Sequence, residues 1–217
     1  MPTHGRVHMK TIALLSQKGG AGKTTLALHL AVAATLDGKQ AAVIDLDPQA
    51  SATHWEDSRA NESPAVVSAQ AVRLAKVLST AREHGAALAI IDTAPHSERD
   101  ALAAARASDL VVIPCRPSVL DLRAISSTVD LAKLAGKPGV IVLNACPPRG
   151  TLADEANAAI ATYELPVAPV RVGQRAAYVH ALTAGQAVQE YEPKGKAAEE
   201  ISQLYKWICG HVNSIGK

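Results

Sequence analysis

Residues 10–37 pass from an apolar strand-like run, KTIALLS (10–16), through the glycine-rich loop QKGGAGK into a helical segment over roughly 23–37 that Gly38 ends. This succession constrains the chain more than any other feature. A strand feeding a glycine loop that opens an amphipathic helix makes backbone N–H groups converge at the positive end of the helix dipole, which forms a cradle for phosphate. The usual expression for such a loop is G-x-x-x-x-G-K-[ST]. Gly22-Lys23-Thr24 satisfies its end, but Gln17 stands where the first glycine is expected, and a second lysine, Lys18, follows it.

Further apolar runs repeat the strand-then-helix order. QAAVID (40–45), PAVVSA (64–69), ALAIID (87–92), DLVVIP (109–114), GVIVLN (139–144) and the Pro-limited PVAPVRV (166–172) read as strands. Helices are expected near 70–84, stopped by Gly85, and near 118–135. Strands without polar alternation, separated by helices, are buried on both faces and pair in parallel. The expected fold is α/β: a single-domain, doubly wound, mostly parallel sheet with helices on both faces, its ligands at the carboxyl ends of the strands.

Composition excludes several classes. A chain of 217 residues fits one domain, and 48% hydrophobic residues are enough to fill its core, which Ala, Val, Leu and Ile must pack because aromatics are 3% and Phe is absent. So few aromatics argue against a platform that stacks single-stranded bases. A formal charge of +2 requires any nucleic-acid surface to arise from clustering or assembly. Cys115, Cys146 and Cys209 show no C-x-x-C spacing and fit reduced thiols in a cytoplasmic protein. No apolar run reaches the ~18 residues of a membrane span. Residues 1–8 read as an extension or tag remnant before the domain at 9–217.

In the loop, Gly19, Gly20, Ala21 and Gly22 would wrap the phosphates with backbone N–H groups. Lys23 would reach the β- and γ-phosphates, Thr24 would offer its hydroxyl to Mg²⁺, and Thr25 would contact the α-phosphate. KGGAGKTT (18–25) resembles the deviant Walker A motif, K-G-G-x-G-K-[ST], of the ParA/MinD group of P-loop ATPases. The resemblance implies that Lys18 crosses to the nucleotide of a partner subunit, tying ATP binding to a homodimer. A cation supplied across the interface would lower the cost of bringing two ATP molecules together.

The other motifs follow in the order that the resemblance implies. DLDPQ (45–49) is similar to the family's switch I, in which Asp47 would orient or activate the attacking water and Asp45 would help hold the Mg²⁺ shell. ALAIIDTAP delivers Asp92 as the Walker B aspartate for Mg²⁺, and Thr93-Ala94-Pro95 resembles switch II. Asn144 is expected at the adenine edge, and Pro169 in the segment covering the base.

The resemblance narrows to a short ParA-type partition or positioning ATPase, because only about sixteen residues precede the loop and leave no room for a helix-turn-helix. It implies an ATP dimer that binds double-stranded DNA without sequence preference, a ParB-like or cargo-adaptor partner, and a cytoplasmic, nucleoid-associated location. Arg171, Arg175, Lys194, Lys196 and Lys206 are the candidate phosphate contacts. Alternatives are a MinD-like membrane-positioning ATPase and a ligase or kinase of the dethiobiotin-synthetase type. A terminal amphipathic helix bears Ile201, Leu204, Tyr205 and Ile208 on one face; that face is expected to pack on the sheet, with no membrane contact.

Overall fold

The computed structural model describes residues 8–215, so the expected N-terminal extension lies outside the described residues apart from His8. Six strands form one sheet: β1 (Lys10–Leu14), β2 (Ala41–Asp45), β3 (Ala65–Ser68), β4 (Leu88–Asp92), β5 (Leu110–Cys115) and β6 (Gly139–Leu143). Their order is β3-β2-β4-β1-β5-β6 and every pair is parallel. β1, β2, β4, β5 and β6 are buried throughout apart from Lys10, which explains why their sequences lack alternation. Register places Leu14, Asp92 and Asp45 side by side, so the ends of β1, β4 and β2 converge on one point.

Helices α1 (Lys23–Leu36), α2 (Ser51–Asp57), α7 (Ala176–Thr183), α8 (Val188–Tyr191) and α9 (Lys196–Ser214) contribute to the core on one face of the sheet. On the other face lie α3 (Leu74–Glu83), α4 (Glu98–Ala107), α5 (Val119–Leu134) and α6 (Leu152–Ile160). Helix α1 differs from the amphipathic expectation, because every residue from Leu26 to Ala34 is buried. It lies between β4 and β2 on one side and α8 and α9 on the other, so no flank is left for water. Ile201, Leu204, Tyr205 and Ile208 are buried as expected, in the core cluster on one face of the sheet, and α9 also packs against α1 and α8.

One element is corrected. The segment 166–172 is not a strand; it touches β6 through an isolated parallel bridge between Ile141 and Val167, and a second bridge joins Cys146 to Gly173. Pro166 and Pro169 have no N–H to continue a ladder, so only Ala168 and Val172 donate to β6, at 2.8 and 2.9 Å. The helix expected near 70–84 begins as a 3₁₀ turn, Ala71–Arg73, before α3.

Candidate nucleotide-binding site

The phosphate loop joins β1 to α1. Gly22 caps α1 with φ +95°, a conformation that suits glycine, and a Cβ there would stand 2.1 Å from Asn144 Nδ2. Lys23 is buried, and its Nζ donates to Ser16 O at 3.2 Å, the last residue before the loop turns. Burial pulls the Lys23 ammonium below its ordinary pKa, while Asp92 and Asp47 act in the opposite direction. The lysine charge and the two carboxylates therefore share one poorly hydrated space.

Thr24 Oγ1 donates to Asp92 Oδ2 at 2.6 Å. The other oxygen, Asp92 Oδ1, is buried with no hydrogen-bond partner among the described residues. Burial pushes the carboxyl pKa up to about 7; the Thr24 hydroxyl and Lys23 oppose the rise and neighbouring Asp45 adds to it. An orphaned, desolvated carboxylate oxygen beside a threonine hydroxyl fits a divalent cation, which would compensate its charge. Asp92 and Thr24 are the residues that could hold a divalent cation.

Asp45 lies beside Asp92 but is engaged differently. Its oxygens accept the N–H of Asp47 at 2.9 Å and of Ala52 at 3.1 Å, and burial raises its pKa. It therefore shapes the loop after β2 and anchors the start of α2. Half-buried Asp47 in turn accepts the N–H of Gln49 at 2.9 Å. Thr93 Oγ1 donates to Leu14 O at 2.8 Å, fastening the start of the expected switch II to β1. Three non-glycine residues in the loops following β2, β4 and β6, namely Ala50, His96 and Ala145, have φ between +52° and +61°. Backbone strain thus accumulates at the carboxyl ends of the strands, where a ligand would sit.

Lys18 occupies a different environment from Lys23. Its side chain is 40% exposed and its Nζ lies 2.7 Å from Asp121 Oδ1 in the first turn of α5. Thr128 of the same helix accepts the N–H of Gln17 at 3.4 Å. Asp121 and Thr128 were not singled out from the sequence. The signal available was Ser118-x-x-Asp121, a helix-start pattern, and Ser118 Oγ indeed accepts the Asp121 N–H at 3.2 Å.

Of the expected base contacts, Asn144 is buried and donates from Nδ2 to Ala21 O at 2.8 Å, so its amide braces the phosphate loop. Pro169 is exposed. Of the candidate DNA contacts, Arg175 and Lys196 line one cavity. Arg171 pairs with Asp154 at 2.7 Å, and Arg175 pairs with Glu200, which also accepts the Gly173 N–H. Lys194, Lys196 and Lys206 are exposed, but Lys206 lies about 15 Å along α9 from Lys196.

The model of the CobQ/CobB/MinD/ParA nucleotide binding domain matches residues 12–188. The chain belongs to this family. Its similarity to Maintenance of carboxysome distribution protein A extends over nearly the whole length. The Gloeobacter kilaueensis protein is 32% identical over 207 residues, covering 94% of each chain. The Halothiobacillus neapolitanus protein is 28% identical over 205 residues, covering 89% of this chain and 94% of that one. Among solved structures, cobyrinic acid a,c-diamide synthase from Mycobacterium smegmatis, with bound ADP and magnesium, superimposes with a TM-score of 0.77 at 18% identity, covering 97% of both chains; this likeness concerns the fold. The family and the α/β fold thus agree with the expectation from the motifs. Among the described residues, no helix is long and apolar enough to cross a membrane.

Proposed function

We propose that this ParA/MinD-type protein is a Mg²⁺-dependent ATPase that forms a homodimer around ATP, binds double-stranded DNA without sequence preference as the dimer, and releases it after hydrolysis. The observation that carries the reading is the division of labour between two lysines. Lys23 is buried over its own phosphate cradle, whereas Lys18 is turned out to α5 and half exposed. A lysine outside its own cradle can serve a nucleotide in a facing subunit once its pair with Asp121 opens. When bound, Mg²⁺ would neutralise charge developing on the transferred phosphoryl oxygens. Thr24 and Asp92 would hold it, Lys23 would contact the β- and γ-phosphates, and Asp47 would position the attacking water.

The near-full-length relatives bear a name that concerns distribution of carboxysomes, which favours a positioning role over a small-molecule ligase. The apolar face of α9 is consumed by packing on α1 and α8, which disfavours the membrane alternative. A ParB-like or cargo-adaptor partner would stimulate a slow intrinsic hydrolysis at the nucleoid.

Sedimentation velocity with ATP, ADP and no nucleotide, each with and without duplex DNA of unrelated sequence, tests the reading. A dimer with ATP alone, which co-sediments with DNA and is dispersed by salt, is expected. Asp47→Ala should accumulate that dimer and lose turnover. A protein that stays monomeric with ATP while binding it would overturn the proposal.

A further inference from the structure

On the second face of the sheet, α3, α4, α5 and α6 stand side by side, with α4 on β1, α5 on β5 and α6 on β6. The row ends at α3, and beyond it the same face of edge strand β3 is open: Ala65 and Val67 are exposed, whereas Ala42 and Ile44 of β2 are buried. Ala42 pairs with Ala65 and Ile44 with Val67, and these four side chains floor a cavity of about 850 Å³. Val67 is 41% exposed, unusual for a valine in a sheet of this kind. Val77 and Ala81 of α3 form the apolar wall.

The rim is basic. Arg73, Lys76 and His84 line the groove against a single acid, Glu62. Neither Arg73 nor Lys76 is ion-paired among the described residues. Arg73 and Val77 also line an adjoining cavity of about 850 Å³, which continues past Arg99 and Asp100 to Asp47 and Pro48, so the excess of basic groups belongs to the first cavity. The groove therefore runs from the base of the sheet edge up to the loop that carries Asp47.

We infer that this groove receives an amphipathic helix of a partner protein, its apolar stripe flanked by acidic side chains. Among the described residues no helix covers this face of edge strand β3, and the apolar floor with a basic rim complements a helix of that pattern. Addition of a seventh strand is disfavoured because the outward N–H of Val66 is already taken by Glu56 Oε1 at 2.9 Å. An occupant of the full groove touches Asp47 and Pro48 from outside the nucleotide site and thereby biases the switch loop. Only this coupling rests on the catalytic reading of Asp47; docking stands without it.

The probe is a labelled synthetic amphipathic helix of about five turns with a leucine stripe flanked by glutamates, beside the same peptide carrying lysines instead. Anisotropy is measured on the full chain without nucleotide. The glutamate peptide should bind saturably and the lysine peptide should not, with Lys76→Glu and Val67→Asp each weakening binding about tenfold or more. Leu36→Asp, at an exposed leucine on α1, should leave it unchanged. Nucleotide-dependent dimerisation of Lys76→Glu should match the wild type, which separates failure of the groove from failure of the ATPase reading. Lys76 is exposed, so its variant stands even if Val67→Asp unfolds. Absent binding of the glutamate peptide, equal binding of both peptides, or undiminished affinity in Lys76→Glu overturns the inference. So does loss of duplex DNA binding in Lys76→Glu with peptide binding intact, which would make the rim a DNA surface.

Discussion

Lys18 Nζ lies 2.7 Å from Asp121 Oδ1, and this ion pair fastens the distinctive lysine of the phosphate loop to the first turn of α5. Asp121 is 12% exposed at its side chain, and Lys18 together with Ser118 holds its carboxyl below the usual range against the opposing effect of burial. The pair must open for Lys18 to reach a second subunit.

Lys18→Ala should therefore abolish the ATP-dependent dimer while leaving ATP binding by Lys23 in place. Asp121→Ala should favour the dimer, because the competing contact is gone. Its cost to monomer stability should stay within about 1 kcal/mol, the scale of a part-exposed pair. Equilibrium sedimentation with a non-hydrolysable ATP analogue checks both, and a normal dimer in Lys18→Ala contradicts the trans role.

Asp92→Asn should remove the dependence of nucleotide binding on Mg²⁺. With EDTA present, the variant should be at least as stable as the wild type at pH 8. The carboxyl pKa is raised to about 7, so the native state holds a proton that the unfolded state has lost. Wild-type stability thus falls as pH rises from about 4 to about 7, and the asparagine lacks that loss. Melting curves with ADP and EDTA, against ADP and Mg²⁺, at pH 5 and pH 8 read both effects.

Gly22→Ala should lose nucleotide binding and fold less stably. The left-handed backbone alone costs an L-residue about 1–2 kcal/mol, and the new methyl meets the Asn144 amide. Adding Asn144→Ala relieves the contact but not the backbone cost, so the double variant should recover part of the loss in urea unfolding. Full recovery would show that φ +95° is not required.

His29 provides a pH response away from the site. It is fully buried in α1, its Nδ1 lies 2.7 Å from Thr25 O, its ring sits edge-on to Tyr178, and burial lowers its pKa to about 4. The unfolded chain takes up that proton near pH 6.5 and the native state only near 4, so stability is lost as pH falls through this window. His29→Leu should remove about 2 kcal/mol of the wild-type loss between pH 7.5 and pH 5, measured by denaturant unfolding. Equal acid sensitivity in both proteins would exclude His29 as the cause.

Much of the architecture was legible in the residues. The β-run, glycine loop and helix from Lys10 to Leu36 are where the pattern places them; the strand ending in Asp92 pairs in register with β1, and the strand ending in Asp45 pairs in register with that strand on its other side. Segment 166–172 misled because its valines have strand character while its prolines break the ladder. Asn144 illustrates a second limit. A polar residue at a strand end signals a site, yet only the packed structure shows its amide on Ala21 O and against Gly22.

By itself the sequence determined the features that depend on near neighbours: a loop flexible enough to wrap phosphate, apolar strands that must be buried, and acids at their carboxyl ends. Tertiary structure decided the partners that these groups meet. Asp121 for Lys18, Glu200 for Arg175 and Thr24 for the buried carboxylate of Asp92 come from distant parts of the chain. Backbone propensity and hydrophobic period act over a few residues, whereas the pairing of charges depends on which helix the sheet order brings alongside.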